Sequence, residues 1–266
     1  MKPILPILVL ILIATLGRTA TAEVVCTLVA DAHTRAIVIE EGDCTTRVTP
    51  ASTFKIPLAV MAYDAGVLIN SRAPVMQFRS GDPAWGGANW TRDTDPASWM
   101  RYSVLWYSQR ITQAMGAEAL TRYALNFGYG TADFSGDAGF DNGLERAWIV
   151  SSLLISPREQ VTFLRALVRD ALPVRPEALR HAREIVERHD VEDWIIHGKT
   201  GTAYPRRPDR SFDYARGWGW YVGWAQQGDR VLVFARLTQA RQRTDGSPGN
   251  LTRDAFMREW ADLVAR

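Results

Sequence analysis

The stretch Pro50-Ala51-Ser52-Thr53-Phe54-Lys55-Ile56-Pro57 places a serine hydroxyl and a lysine amine three residues apart. An apolar pattern with helical spacing begins in the same stretch and continues through Leu58, Met61, Ala62 and Ala65. Side chains three positions apart share one face of a helix, so the two groups can meet. A serine needs an adjacent base to accept its proton. A lysine that burial holds neutral, or that is modified at nitrogen, can be that base. The stretch therefore predicts Ser52 as a nucleophile and Lys55 as its base.

Lysine is rare in this chain, which carries 31 Lys plus Arg but only Lys2, Lys55 and Lys199 as lysines. Lysine differs from arginine in that its nitrogen can lose its proton or be modified. Beyond the first few residues, both lysines lie in short motifs, Ser52-Thr53-Phe54-Lys55 and Lys199-Thr200-Gly201. The alternative, two ordinary surface lysines, does not account for this placement. The distribution favours a chemical role for both amines.

The N-terminal segment has the pattern of a secretory signal. Met1-Lys2 gives a positive start, an apolar run follows from Ile4 to Leu16, and Ala20-Thr21-Ala22 offers a small-x-small cleavage site. The apolar run is short for a membrane span, and an uncleaved anchor is the alternative. We therefore expect a signal peptide over residues 1–22, cleavage near Ala22-Glu23, a periplasmic or secreted protein, and no stable membrane insertion.

The charge balance argues against a polyanionic partner. Removal of residues 1–22 takes Lys2 and Arg18 from the 31 basic residues and leaves 29 basic against 29 acidic residues. Nucleic-acid binders usually show a concentrated basic surface. No nucleic-acid partner is expected.

The two cysteines, Cys26 and Cys44, lie close together in the chain. Export to an oxidising compartment favours a disulfide. Strand-like segments from Val24 to Ala30 and from Thr34 to Ile39 flank an Asp31-Ala32-His33 turn, which would bring both cysteines together. We expect a bridge across this hairpin, and two buried free thiols are the alternative.

The order of strand-like and helix-like segments predicts an α+β fold. Residues 24–48 read as strands, residues from Ser52 to about Asp190 read mainly as helices, and strand-like runs and a final helix follow. Those later segments are Asp193–His197, Gly217–Ala225, Arg230–Leu237 and a helix of about Thr252–Val264. The arrangement predicts one two-lobed domain over residues 23–266. An antiparallel sheet from both chain ends (about 23–50 and 191–266) and an inserted helical lobe (about 51–190) would flank a cleft.

Local signals mark helix starts inside the helical lobe. Ser156-Pro157-Arg158-Glu159 is a capping box with proline at the first helical position. Asp95-Pro96 opens another helix, and Arg175 to His189 reads as a charged helix with one packed face.

Serine β-lactamases and penicillin-binding proteins combine Ser-x-x-Lys with a later Lys-Thr-Gly. Here Lys199-Thr200-Gly201 follows a strand-like run, and on an edge strand its amine and hydroxyl could hold a substrate carboxylate. Between the two motifs stand Ser103-Val104-Leu105, Tyr129-Gly130-Thr131 and Trp148. In order and spacing these motifs resemble the class D (oxacillinase-type) β-lactamases over nearly all of residues 23–266. The resemblance implies a β-lactamase/transpeptidase-like fold and hydrolysis of penicillin-type antibiotics through a serine acyl-enzyme.

The resemblance also implies roles for individual residues. Lys55 would carry a carboxyl group derived from carbon dioxide (N6-carboxylysine) and act as general base, with no metal and no other cofactor. Trp148 would hold that carbamate by its indole N–H, and Ser103 would relay a proton to the leaving nitrogen. The backbone N–H groups of Ser52 and Thr202 would form the oxyanion hole. The expected substrate contacts are Lys199, Thr200, Gly201, Thr202, Arg253 and Leu105.

Each of these assignments has a structural alternative. Ser103 could be a helix cap, Trp148 could be a core residue, and Arg253 could be a surface charge. Two positions depart from the family pattern, because Leu105 stands where valine is usual and Thr131 stands where asparagine is usual. We expect Leu105 to affect the carbamate or the hydrolytic water, and Thr131 to be structural.

Other classes of protein fit less well. A histidine-based serine hydrolase is disfavoured because the chain contains no Gly-x-Ser-x-Gly, and a class A enzyme because it contains no Ser-Asp-Asn. The four histidines lack the spacing of a zinc site. The main rival is a β-lactam sensor domain that is acylated and stays acylated. A peptidoglycan-processing peptidase is a third reading. The motifs predict neither a range of β-lactam substrates nor an oligomeric state.

Overall fold

One antiparallel sheet built from both ends of the chain organises the computed structural model, which describes residues 22–265. The predicted signal peptide, residues 1–22, falls almost wholly outside the described residues. The strands follow the order β2-β1-β6-β5-β4-β3 across the sheet. They are β1 (Glu23–Asp31), β2 (Ile37–Gly42), β3 (Arg188–Val191), β4 (Trp194–Ala203), β5 (Trp218–Gln227) and β6 (Arg230–Gln239). The α+β prediction, with a sheet formed by the two chain ends, is confirmed.

The helices lie mainly between β2 and β3, as the pattern predicted. A 3₁₀ turn at Ala51–Phe54 leads directly into the first of them. The helices are α1 (Lys55–Asp64), α2 (Pro96–Tyr102), α3 (Leu105–Met115), α4 (Ala117–Phe127), α5 (Gly143–Arg146), α6 (Pro157–Val168), α7 (Pro176–Glu184) and α8 (Pro248–Val264). The capping box at Ser156 and the helix start at Asp95 are both present.

The first hairpin carries the disulfide. The Asp31 carboxylate accepts hydrogen bonds from the backbone N–H groups of His33 (2.8 Å) and Thr34 (2.7 Å), which tightens the turn. The second strand begins at Ile37, three residues later than the predicted Thr34, because the turn takes up those residues. Cys26 lies opposite Gly42, and a disulfide joins it to Cys44 with the Cα atoms 5.1 Å apart. The predicted bridge is confirmed.

Two further predicted boundaries are wrong, and pairing or capping explains each one. The helix expected over Arg175–His189 ends at Glu184, because residues 188–191 form β3 and hydrogen-bond to β4. The sheet lobe therefore begins slightly earlier than the expected residue 191. The last helix begins at Pro248 rather than Thr252. Proline lacks a backbone N–H, and in the first turn of a helix that group has no partner within the helix, so proline is tolerated there.

The sheet is buried on both faces, which fixes where the cleft can lie. Phe256 and Trp260 of α8 pack on one face against Phe234 of β6, with ring centroids 4.6 and 5.8 Å away. The opposite face, including the fully buried Trp220 of β5, joins the core of the helical lobe. Within residues 22–265, the structure contains no helix with the length and apolarity needed to cross a bilayer.

The N-terminal end of α1 meets β4 at a very close contact. A Cβ atom at Gly201 would lie 2.9 Å from the carbonyl oxygen of Pro50 and 3.0 Å from the Cγ2 of Thr53. Real Cβ atoms rarely approach other atoms so closely, so only glycine lets the strand lie against the 3₁₀ turn. This contact sets the Lys-Thr-Gly strand beside Ser52.

Candidate active site

The nucleophile candidate lies in the 3₁₀ turn and its base candidate is the first residue of α1. Ser52 is partly exposed, whereas the Lys55 side chain is buried with 1% exposure. Ala51, immediately before the serine, has a φ of 50°, and its backbone N–H donates to the carbonyl oxygen of Trp148 at 3.0 Å. The predicted helix start near Ser52 is therefore observed, and both groups share one helical turn.

The environment of Lys55 favours the neutral form of its amine. Burial lowers the pKa of Lys55 well below its ordinary value, and the positive charge of Lys199 lowers it further. Within the described part of the chain, the Lys55 Nζ atom is buried and has no hydrogen-bond partner. A neutral amine has the free electron pair that attack on carbon dioxide requires. An unpartnered buried polar atom costs stability, so the geometry fits a lysine that carries a further polar group.

Trp148 stacks on Phe54, the residue that precedes Lys55 in the chain. The two rings are stacked with centroids 5.4 Å apart, and Trp148 is 1% exposed. Its carbonyl oxygen also accepts a hydrogen bond from the Thr49 hydroxyl at 2.8 Å. Trp148 is thus buried in the core, and its backbone is hydrogen-bonded to the segment that carries Ser52.

Ser103 occupies a backbone conformation that serine rarely adopts. It ends α2 in the left-handed region with a φ of 58°. Within residues 22–265, its buried hydroxyl has no hydrogen-bond partner, and Val104 rather than Ser103 precedes α3. A strained serine with an unused hydroxyl is typical of functional sites. Leu105, two residues later, is partly buried against the core at the first position of α3.

The Lys-Thr-Gly motif lies on β4, which is next to the edge rather than at it. The short β3 pairs only with Trp194–His197 of β4, so among the described strands none covers the β3 side of residues 199–203. The prediction of an edge strand is therefore wrong for β4 as a whole, while the motif itself lies beyond the β3 pairing. The Lys199 side chain is 4% exposed, and its Nζ atom donates to the carbonyl oxygen of Thr200 at 3.1 Å.

The start of α8 is tied to the end of β4. The Thr202 hydroxyl lies 2.6 Å from the Ser247 hydroxyl and accepts the backbone N–H of Gly249 at 2.9 Å. Arg253, in the next turn of α8, forms an ion pair with Asp254 at 2.8 Å. Its positive charge lowers the pKa of Lys199, so the structure brings Arg253 near the Lys-Thr-Gly strand.

The pKa of Lys199 predicts a loss of activity at alkaline pH. Burial lowers this pKa to about 8, Glu187 opposes the shift, and Arg253 adds to it. Lys199 is charged below this pKa and loses its charge as the pH rises through it. We therefore expect kcat/KM for a penicillin to fall about tenfold per pH unit well above the pKa, because kcat/KM reports the ionisation of the free enzyme. The measurement is a profile from neutral to alkaline pH at saturating bicarbonate.

The control for this profile is Lys199→Arg, which keeps a positive charge at every pH used. The alkaline fall should disappear in this variant even if its kcat/KM is lower throughout. An unchanged fall would assign the ionisation to another group.

Thr131 has a structural position, as expected. Its hydroxyl donates to the carbonyl oxygen of Ser152 at 3.0 Å and accepts the backbone N–H of Leu154 at 3.0 Å. These bonds join the Tyr-Gly-Thr segment to the chain that follows Trp148. The replacement of asparagine by threonine is accommodated by these two bonds.

Gln160 is a residue near the site that sequence reasoning missed. It is 1% exposed, and its amide nitrogen donates to the Thr53 hydroxyl at 2.8 Å. That hydroxyl donates to the carbonyl oxygen of Pro50 at 2.7 Å, and the Tyr129 hydroxyl contacts the Gln160 oxygen at 3.5 Å. This buried network anchors the Ser52 turn to α6. The available signal was a glutamine on the apolar face of α6, one turn before Leu164.

Comparisons with known proteins agree with this geometry. The family model described as the penicillin binding protein transpeptidase domain matches residues 25–258. The β-lactamase OXA-9 of Klebsiella pneumoniae is 37% identical over 90% of this chain and 88% of its own length. The β-lactamase OXA-1 of Escherichia coli is 35% identical over 80% of this chain and 75% of its own length.

A solved structure extends the likeness from sequence to fold. The crystal structure of the OXA-427 class D β-lactamase superposes with a TM-score of 0.83 at 40% sequence identity. The match covers 90% of this chain and 98% of that one. With its Ser-x-x-Lys turn set against a Lys-Thr-Gly strand, the chain belongs to the class D β-lactamase family.

Proposed function

We propose that this protein hydrolyses the β-lactam ring of penicillin-type antibiotics through an acyl-enzyme on Ser52. The observation that carries the proposal is the buried, unpartnered amine of Lys55 on the same helical turn as a partly exposed serine. A buried lysine held neutral has a free electron pair with which to act as a base or to react with carbon dioxide. Membership of the class D family supports the same chemistry.

Acylation requires proton transfer at two places. Lys55 would hold a carboxyl group derived from carbon dioxide, and an oxygen of that group would be the base for the Ser52 proton. The Ser52 oxygen then attacks the β-lactam carbonyl, and the carbon–nitrogen bond of the ring breaks. Ser103 relays the proton taken from Ser52 to the leaving nitrogen, which frees the base for deacylation. Its buried hydroxyl, without a hydrogen-bond partner among residues 22–265, supports this role. The backbone N–H groups of Ser52 and Thr202 stabilise the negative charge on the carbonyl oxygen.

Substrate recognition in this proposal depends on a carboxylate. Lys199 and Arg253 supply positive charges that lie close enough to interact, and the Thr200 hydroxyl adds a donor. Gly201 presents only backbone to the bound molecule. Deacylation repeats the base step with water in place of Ser52, and Trp148 keeps the Lys55 carbamate in place through its indole N–H. Leu105, bulkier than the usual valine, limits the space open to that water.

The cellular setting is part of the proposal. The Cys26–Cys44 disulfide is typical of proteins that fold in an oxidising compartment. Together with the signal-like N-terminal pattern, it supports a periplasmic or secreted protein. The partner is a small β-lactam molecule.

The deciding experiment mixes the purified protein with a chromogenic cephalosporin and with a penicillin, with and without added bicarbonate. We expect many turnovers per enzyme molecule and a faster rate when bicarbonate is present. A colour burst equal to the enzyme concentration, followed by no further reaction, would contradict hydrolysis and assign the chain to the β-lactam sensors instead. Turnover at the same rate with and without bicarbonate would contradict the carboxylated lysine but not β-lactam hydrolysis.

A further inference from the structure

Asp137 lies among three arginine side chains that come from two different segments. Its carboxylate oxygen Oδ2 is 3.6 Å from the Nε atom of Arg146. The same oxygen is 3.5 Å from Arg206 Nη2 and 3.4 Å from Arg210 Nη2. Arg146 precedes Trp148 in the chain, whereas Arg206 and Arg210 lie in the loop between β4 and β5. We call these four residues the Asp137 clasp.

The clasp also fixes both ends of α5. The Asp137 backbone N–H donates to the side-chain oxygen of Asn142 at 2.9 Å, and the Asn142 amide donates back to the Asp137 carboxylate at 3.3 Å. Asn142 starts α5 and Arg146 is its last residue. Trp148 follows two residues later and accepts the Ala51 backbone N–H. A continuous set of contacts therefore runs from Asp137 to the turn that carries Ser52.

The charges of the clasp make it depend on one carboxylate. Three guanidinium groups converge on Asp137, and the pKa of Arg146 is lowered first by burial and then by the charge of Arg206. Glu145, next to Arg146, offsets only part of that charge and is bonded to Gln113 on α3. Removing the charge of Asp137 would leave repelling guanidinium groups with no shared partner. The segment free to move away is the loop, in which the Arg210 side chain is 50% exposed.

We propose that Asp137 is a positioning residue that ties the β4–β5 loop to the Trp148 segment. Release of the loop would then weaken the binding of the carboxyl group on Lys55. The proposal rests on the function proposed above. Arg206 follows Thr202 by four residues, so the loop borders the strand that would contact substrate. A loop held by the clasp keeps α5 and Trp148 in place, and a released loop lets Trp148 shift away from Lys55.

The test is Asp137→Asn, which keeps the size of the side chain and removes its charge. The first readout is the bicarbonate concentration that gives half-maximal kcat. The second is the rate at which trypsin cuts after Arg206 and Arg210, since the loop carries its own cleavage sites. Both should rise about tenfold, because a local segment freed of its contacts opens more often. Asp137→Glu should restore both in large part.

The matched control is Asp209→Asn in the same loop, whose carboxylate accepts hydrogen bonds from Ser211 and, within residues 22–265, from no residue outside the loop. This variant should leave both readouts within about twofold of the unchanged protein, as exposed charges contribute little. Faster trypsin cleavage of Asp137→Asn with an unchanged bicarbonate requirement would overturn the coupling. An unchanged cleavage rate would overturn the clasp itself. If the protein without substitutions needs no bicarbonate, Lys55 is not carboxylated and the coupling is overturned with it. The trypsin cleavage rates still test the clasp in that case.

Discussion

Replacement of Lys55 by alanine is expected to lower kcat for penicillins by about 10⁴-fold, because general base catalysis contributes up to this amount. The amine is the buried group that shares a helical turn with Ser52, and its low pKa keeps it able to accept a proton or bind carbon dioxide. Without it, neither Ser52 nor the hydrolytic water has a base. The measurement is steady-state turnover together with the bicarbonate response, which should also vanish.

A control separates loss of the base from loss of the fold. Lys199→Ala removes the other buried lysine, the first residue of the Lys-Thr-Gly motif, and should raise KM while keeping the response to bicarbonate. Mass spectrometry of Lys55→Ala after exposure to penicillin should show little acylated protein, and any that forms should persist for hours. Near-normal deacylation in Lys55→Ala would contradict the role of Lys55. Thermal unfolding of both variants shows whether they remain folded.

Local patterns in the sequence were sufficient for the parts of the site that lie close together in the chain. Helical spacing put Ser52 and Lys55 on one face, and the structure places both in a 3₁₀ turn and the first turn of α1. The capping residues Asp95 and Ser156 marked helix starts because their signal spans only one turn. The hairpin between the two cysteines was also predictable, since its strands are neighbours in sequence.

Features that depend on a pairing partner, rather than on a local pattern, were not predictable from the same patterns. The strand β3 (Arg188–Val191) has a polar, charged sequence and becomes a strand through its hydrogen bonds to β4. Gln160 reads as an ordinary polar residue until α6 packs against the nucleophile turn, 107 positions away in the chain. Nothing in the sequence around Arg206 and Arg210 indicates their partner Asp137, which only the fold brings beside them. In each case the partner belongs to another element of the fold.

Trp148→Phe is expected to raise the bicarbonate requirement and to slow deacylation by about 10² to 10³-fold, the scale of a lost donor at a catalytic group. Phenylalanine can keep the stacking on Phe54, which the structure shows at 5.4 Å, while it removes the indole N–H. The carbamate on Lys55 would then lose the donor that we propose for it and would dissociate more readily. The measurement is kcat at increasing bicarbonate, with the acyl-enzyme followed by mass spectrometry.

The matched control is Trp260→Phe on the opposite face of the sheet. Trp260 is fully buried, and among the described residues its indole nitrogen has no hydrogen-bond partner. The two substitutions therefore remove similar volume from the core, and each costs stability through the cavity that it leaves. Only the change at Trp148 should alter the bicarbonate requirement. If Trp260→Phe raised that requirement equally, the effect would come from general loosening of the core, and the indole of Trp148 would have no specific part in holding the carbamate.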